Sequence, residues 1–508
     1  MELTTWLLIG AVLYAIWAFL NRRLQYFESL NLPYVPGVPF FGSMASAVFR
    51  VCHISDTVKN IYRYNPEAKY IGAFDFMRPV IVLRDLDVIK NVTIKNFDNF
   101  PDHQAFIDDS VDPLFGGGLF NIAGERWKEA RALLSPAFTS SKMKGMFELM
   151  VVCGKNFVDY LSKLPEKERK AIATKDMFGK LTNDVIGTCA FGININSLEN
   201  PKNDFFILGK EATTFDGIMS LKFFIARSFP NVMKWFNIKF VSDRVERFFT
   251  SIVSTTIATR DEQGISRPDM IQLMMDARGK EGKNFKLDIT SMTAQAFIFF
   301  FGGFDTTSTQ MCIIAHELAI NPDIQKRLQD EIDDVLERSK GKLTYEALNS
   351  MLYLDAIFNE SMRFHPQAGF LDRLCVKAFE LPPALPGLKP FVVQPGMNVW
   401  IPAVAIHRDP EYHDEPDTFN PDRYYQKKVT INDTQNLGFG IGPRSCIGNR
   451  FAIMETKLLF FFLLSKFNLV PNDKTCSPLV YSKKTFSLIP PGGYSLAIEP
   501  RTDASAYA

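Results

Sequence analysis

A mostly helical chain with a short strand-bearing part, carried behind one membrane-spanning segment, is what this 508-residue sequence predicts. Three observations point that way. Leu3–Leu20 is almost wholly apolar, and Thr293–Ile320 reads as one long buried helix, with a second helical run from Ile447 to about Leu464. Tyr70–Leu83 alternates roughly as strands do, most clearly at Val80-Ile81-Val82.

Composition narrows the function classes. At 46% hydrophobic the chain can bury one large core or two ordinary ones, and a net charge of +1 gives no electrostatic basis for binding nucleic acid. Its 7 cysteines are widely spaced and form no C-x-x-C pair, which points to reduced thiols on the cytosolic side rather than disulfides or a zinc site. His316-Glu317 opens like a helical zinc-protease motif, but Ile320 stands where the second histidine belongs. The 46 phenylalanines suit an apolar interior or a cavity.

The apolar N-terminal run is long enough, at about 27 Å as a helix, to cross a bilayer core. Glu2 precedes it and Arg22-Arg23 follow, the reverse of a cleaved signal peptide, so residues 1–23 are expected to be a retained signal anchor with the bulk of the chain cytosolic. Pro33, Pro36 and Pro39 make residues 24–42 a semi-stiff hinge that neither helix nor sheet absorbs, and residues 43–508 one further domain. Phe97–Phe120 is rich in Asp, Gly and Pro and lacks a period, hence a loop. Trp127 and Arg131 lie four apart on one helix face.

Within Thr293–Ile320, Gly302-Gly303 cost the helix roughly 1 kcal/mol each against alanine, a loss that close approach of a flat ligand would explain. Asp305 and Thr306 follow at once: an acid and a hydroxyl suited to delivering protons in a dry pocket. Glu360 and Arg363 share a helix face in Phe358–Pro366, and Arg423 falls in Pro416–Tyr424. Near the C-terminus Gly438, Gly440 and Gly442 alternate before Pro443, Arg444 and Cys446, a tight hairpin presenting a cysteine. A helix directly after Cys446 would favour its thiolate.

Taken in order, these motifs resemble those of the cytochrome P-450 family, the haem-thiolate monooxygenases. The match runs through Phe439-Gly440, Arg444, Cys446 and Gly448, through Gly302-Gly303-x-Asp305-Thr306-Thr307, and through Glu360-x-x-Arg363. The resemblance implies a mainly α fold with a smaller β-rich part. It also implies haem b (iron protoporphyrin IX) between the long helix and the cysteine loop. Cys446 would be the axial metal ligand and Phe439 part of the cradle, with Trp127, Arg131, Arg373 and Arg444 holding the haem. Asp305 and Thr306 would deliver protons, and Glu360, Arg363 and Arg423 would form a buried charge network supporting the loop. Relatives often place an arginine near His103 or Gln104; this chain has none there.

By the same resemblance, Phe205–Phe240, with Phe215, Phe223, Phe229 and Trp235 among its aromatics, would roof the cavity and dip into the membrane. Gln367–Leu371 and Phe486–Leu488 would line the cavity. Lys128, Lys142, Lys144 and Lys457 would offer a basic patch to an acidic flavoprotein. The expected partners are NADPH–cytochrome P-450 reductase and cytochrome b5, at the endoplasmic reticulum membrane. The substrates would be lipophilic xenobiotics such as plant toxins or insecticides, the wording being most similar to insect family nine, or the substrate of one biosynthetic hydroxylation. A haem-thiolate isomerase or lyase, or a haem sensor, would not need the Asp305–Thr306 pair. Sequons at Asn91, Asn359 and Asn432 should stay bare on a cytosolic domain.

Overall fold

A computed structural model describes residues 2–214, 218–280, 282–426 and 433–508. Phe215 and Asn432 lie outside the described residues.

Helices dominate. Helix α1 (Glu2–Leu24) comes first, and among the described residues the N-terminal stretch Thr4–Leu30 is the one helical span apolar and long enough to cross a membrane. Trp6, Leu7 and Leu8 on it stand exposed, so no protein core claims its apolar surface. Strands β1 (Tyr70–Asp75) and β2 (Arg78–Leu83) fall in the stretch where the alternation predicts strands, and they pair antiparallel. The helices that build the site follow: α2 (Gly124–Leu134), α3 (Thr174–Cys189), α4 (Ile218–Ser228), α5 (Ile289–Ile320) and α6 (Leu352–Phe364). Strands β3 (Leu371–Leu374) and β4 (Asn398–Ile401) complete a four-stranded sheet in the order β1-β2-β4-β3, and α7 (Asn449–Lys466) lies beyond. A small second sheet joins Phe467–Val470 to Ser495–Pro500 near the C-terminus.

Two expectations about the connections need correction. The proline-rich hinge is partly taken up by the sheet: the Gly72 N–H donates to the Pro33 carbonyl at 2.8 Å, and the Val35 N–H to the Gly72 carbonyl at 2.9 Å. Tyr34 sits between the prolines with both neighbours' groups free to pair, so one residue of contact is possible where a full strand is not. The stretch Phe97–Phe120 is irregular for the most part, but it contains short helical turns at Phe97–Asn99 and Pro113–Gly116, the latter capped by the Asp112 carboxylate.

Helix α5 is the axle of the helical part. It starts four residues earlier than its apolar pattern indicates, because the Asp288 side chain accepts the Ser291 N–H and caps it. Phe297, Phe300 and Phe304 on it are buried, and Phe300 stacks on Phe304 at 5.2 Å while meeting Phe205 and Phe249 edge-on or tilted. Much of the chain's phenylalanine is therefore core aromatic packing. The two glycines have separate reasons. A Cβ on Gly303 would come within 2.5 Å of Ile186 on α3, so close helix packing requires it, whereas Gly302 faces open space.

The Glu360–Arg363–Arg423 network ties α6 to the cysteine loop. Glu360 and Arg363 are fully buried and joined by two parallel bonds of 2.7 and 2.8 Å, with Arg423 Nε 3.5 Å from the same carboxylate. The Asn420 N–H donates to Glu360 at 2.8 Å, and Arg363 donates onward to the carbonyls of His407, Pro416 and Thr418. His407 passes the support along: its Nε2 accepts the Leu437 N–H at 2.9 Å, at the entrance to the loop. Such a pair is stable only with its hydrogen bonds complete.

Glu360→Gln should strand the Arg363 charge and cost about 3–5 kcal/mol, read as a lowered denaturant midpoint; an unchanged midpoint would contradict the network's role. Burial also holds the His407 imidazole down at about 3. A base whose folded pKa is depressed is protonated first in the unfolded chain, so its contribution is complete above about pH 6.5 and is lost as pH falls toward 3. His407→Gln, which keeps an acceptor for Leu437, should flatten the fall of the unfolding midpoint between pH 6.5 and 4; an unchanged slope would place the acid sensitivity elsewhere.

Candidate active site

The cysteine loop is shaped by left-handed glycines. Gly440 and Gly442 have φ of 78° and 73°, and a Cβ on Gly442 would lie 2.3 Å from the Thr93 carbonyl. The Cys446 N–H donates to the Phe439 carbonyl at 2.8 Å, which closes the hairpin, and Phe439 stacks on Phe358 of α6 at 5.9 Å. Helix α7 begins at Asn449 with Gly448 as its N-cap, two residues later than expected, so Cys446 lies ahead of the first turn rather than in it. Cys446 has accessible surface, and that surface opens onto an internal cavity, while the thiol itself lies deep among protein atoms. Burial pushes the thiol up despite the opposing Gly448 N–H and the Arg131 charge. Burial and the nearby helix start therefore act on this thiol in opposite directions.

The cavity is about 580 Å³. Of the residues singled out from sequence, Trp127, Arg131, Arg373, Phe439, Arg444, Cys446 and Thr306 line it together, although they come from α2, α5, β3 and the loop. Asp305 does not line it. Its carboxylate is held by Lys175 at 2.8 Å, and the same ammonium donates to Ser308 at 2.8 Å and Thr309 at 2.6 Å. Asp305 thus faces α3, and the Thr306 hydroxyl, on the cavity side, donates to the Gly302 carbonyl within the helix.

Arginines crowd one wall. Arg444 donates to the Pro101 carbonyl at 2.7 Å and to Asp102 at 2.8 Å, and its guanidinium lies 3.9 Å from the centre of the Trp127 ring. Arg373 donates to the carbonyls of Asp372 and Ile441 at 2.7 and 2.8 Å. Burial lowers both to about 10. Arg444 Nη1 and Arg373 Nε remain buried with no protein acceptor. Two orphaned cationic donors at the wall of a cavity fit an anionic edge, and a thiol lining the same cavity fits a metal ligand, so the residues present suit haem.

Sequence reasoning missed several partners. His103 bonds Asp372 at 2.8 Å, and the Gln104 N–H donates to the same carboxylate at 2.8 Å. These contacts, with the nearby Arg227 charge, hold Asp372 well below the usual carboxylate range against its burial. The signal was the missing arginine near His103. Lys175, 130 residues before Asp305, gave none. Of the segments expected to line the cavity, Gln367, Ala368 and Leu371 do, whereas Phe486–Leu488 does not; Phe486 packs instead on Phe223, which does line it. Phe205 and Phe206 are core, while Phe229, Trp235 and Phe236 stand exposed.

One member of the expected lysine patch, Lys457, is corrected, while Lys128 and Lys144 stand exposed. Lys457 is buried and paired with Asp355 at 2.7 Å, Lys128 pairs with Glu125 at 2.9 Å, and Lys144 pairs with Glu346 at 2.5 Å. An α7 lysine carried inward toward α6 cannot serve a partner's surface.

Comparison with known proteins agrees with this geometry. The family model described as Cytochrome P450 matches residues 33–497. Cytochrome P450 9e2 of Blattella germanica is 45% identical, with 94% of each chain covered. Probable cytochrome P450 9f2 of Drosophila melanogaster is 36% identical over 97% of this chain and 98% of its own. Cytochrome P450 6j1 of Blattella germanica is 35% identical over 95% of each. Matched along nearly its whole length, with a thiol, paired arginines and a long glycine-bearing helix around one cavity, this chain belongs to the cytochrome P450 family.

Proposed function

We propose that the chain is a haem-thiolate monooxygenase of the endoplasmic reticulum membrane. It inserts one oxygen atom of O2 into lipophilic small molecules, xenobiotics such as plant toxins and insecticides among them, and reduces the other atom to water. The observation that carries the substrate class is the cavity beside Cys446, walled by Phe106, Phe115, Phe120, Phe138, Phe299 and Phe301. Removing apolar ligand surface from water there contributes about 25 cal/mol per Å².

Bound haem b supplies the iron at which dioxygen is activated, with Cys446 as its thiolate ligand donating electron density. Arg373 Nε and Arg444 Nη1 would hold its anionic edge, with Trp127, Arg131 and Phe439 completing the cradle around the cavity. Thr306, turned from the Gly302 carbonyl, holds a water and passes a proton into the cavity. Asp305, gripped by Lys175 at the partly exposed outer side of α5, takes up protons from solvent. The apolar walls keep other water out.

Electrons come from NADPH through NADPH–cytochrome P-450 reductase, with cytochrome b5 as a second donor. The chain's glycine-rich loop, Gly438-x-Gly-x-Gly, has the wrong spacing for a dinucleotide. Helix α1 with Arg22-Arg23 behind it suits a single-pass anchor that leaves the catalytic part cytosolic.

Reconstituted with the reductase and an alkoxycoumarin probe, the wild type should form dealkylated product. Thr306→Ala should go on consuming NADPH while product per NADPH falls about tenfold or more, which is ~1.4 kcal/mol of lost discrimination, and peroxide appears. Unaltered coupling in this variant would contradict the role given to Thr306.

A further inference from the structure

The cavity's long aromatic walls are interrupted by a pair of amides, Gln310 on α5 and Gln367 just beyond α6. Gln310 is buried at 3% exposure, one turn past Thr306 on the same helix. Its Nε2 donates to Ser361 Oγ at 2.6 Å, and Gln367 Nε2 donates to Gln310 Oε1 at 2.9 Å.

The order of donors follows from Ser361. Its hydroxyl proton goes to the Phe358 carbonyl at 2.7 Å, a group that can only accept, so Ser361 has lone pairs alone to offer Gln310. Gln310 must therefore present its NH2 to Ser361 and its oxygen to Gln367. Gln367 must then present its own NH2 to Gln310, which leaves Gln367 Oε1 as an acceptor with no partner among the described residues. Gln367 is half-buried, and the cavity is the space it borders. A fixed acceptor in an apolar enclosure penalises any ligand that cannot donate to it.

We infer that Gln367, oriented by the Gln310–Ser361 relay, is a specificity-determining residue that selects lipophilic substrates carrying a hydroxyl or N–H donor. Gln310, which orients that acceptor, lies four residues, about 6 Å along α5, beyond Thr306. Oxidation is thereby directed to a carbon a few bonds away from the anchored group. Neither amide touches the reacting atoms, so the role is recognition and not chemistry. The inference rests on the monooxygenase reading and adds a hydrogen-bonding requirement that an apolar pocket alone would lack.

The test is calorimetric titration of the haem-loaded protein with a matched pair, 4-phenylphenol and 4-methoxybiphenyl. The wild type should bind the phenol about tenfold or more tightly than its methyl ether, equivalent to ~1.4 kcal/mol. Gln367→Leu should abolish that ratio by weakening the phenol and sparing or tightening the ether, with Gln367→Met as a second variant should the first fail to fold. Gln310→Met, which removes the acceptor that orients Gln367, should lower the ratio about threefold or more. Equal affinities in the wild type, or the wild-type ratio persisting in the Gln367 variant, would overturn the inference. A wild-type protein that takes up no haem would instead defeat the monooxygenase reading beneath it.

Discussion

Two charges taken wholly out of water, Glu360 and Arg363, hold this molecule's chemistry in place. Burying an ion pair costs several kcal/mol per ion before its own attraction repays anything, and here repayment requires nearly every hydrogen-bonding position to be filled. Arg363 has its two bonds to Glu360 and three backbone carbonyls beyond it, and those carbonyls belong to the chain that leads into the cysteine loop. The geometry of Cys446 is thus set by residues that never border it. Through His407 the constraint reaches Leu437, and through Phe358 it reaches the ring of Phe439.

Opposite that rigid floor stands α5, which carries two different demands on adjacent glycines. Gly303 admits Ile186 from α3, and Gly302 leaves the cavity wall open beside Thr306. Asp305 and Thr306 therefore diverge: one side chain meets Lys175 near solvent, the other faces the cavity. Adjacent positions on a helix point about 100° apart, so one short motif presents one group to the interior and another to the outer side.

What could be read from the sequence was whatever has a local signature. Helical and strand periods gave α5, β1 and β2. Glycine and proline spacing gave the Cys446 hairpin. The three-residue spacing of Glu360 and Arg363 gave a shared face. Partnerships formed by distant segments had no such signature. Lys175 with Asp305, His103 with Asp372 and Gln310 with Gln367 all require the tertiary fold to be known. Lys457 misled for the same reason: a lysine reads as surface until the packing of α7 against α6 turns it inward to Asp355. Burial of the Cys446 thiol, which opposes the pull of the nearby helix terminus, is likewise something no spacing reveals.

The central claim is that Cys446 ligates a haem iron in the cavity it borders. The most direct measurement is the carbon monoxide difference spectrum of the dithionite-reduced protein, recorded beside Cys446→Ala. A strongly red-shifted Soret band in the wild type, absent from the variant, is the expected result. A wild type without haem, or with the unshifted band of a histidine-ligated haem, would contradict it.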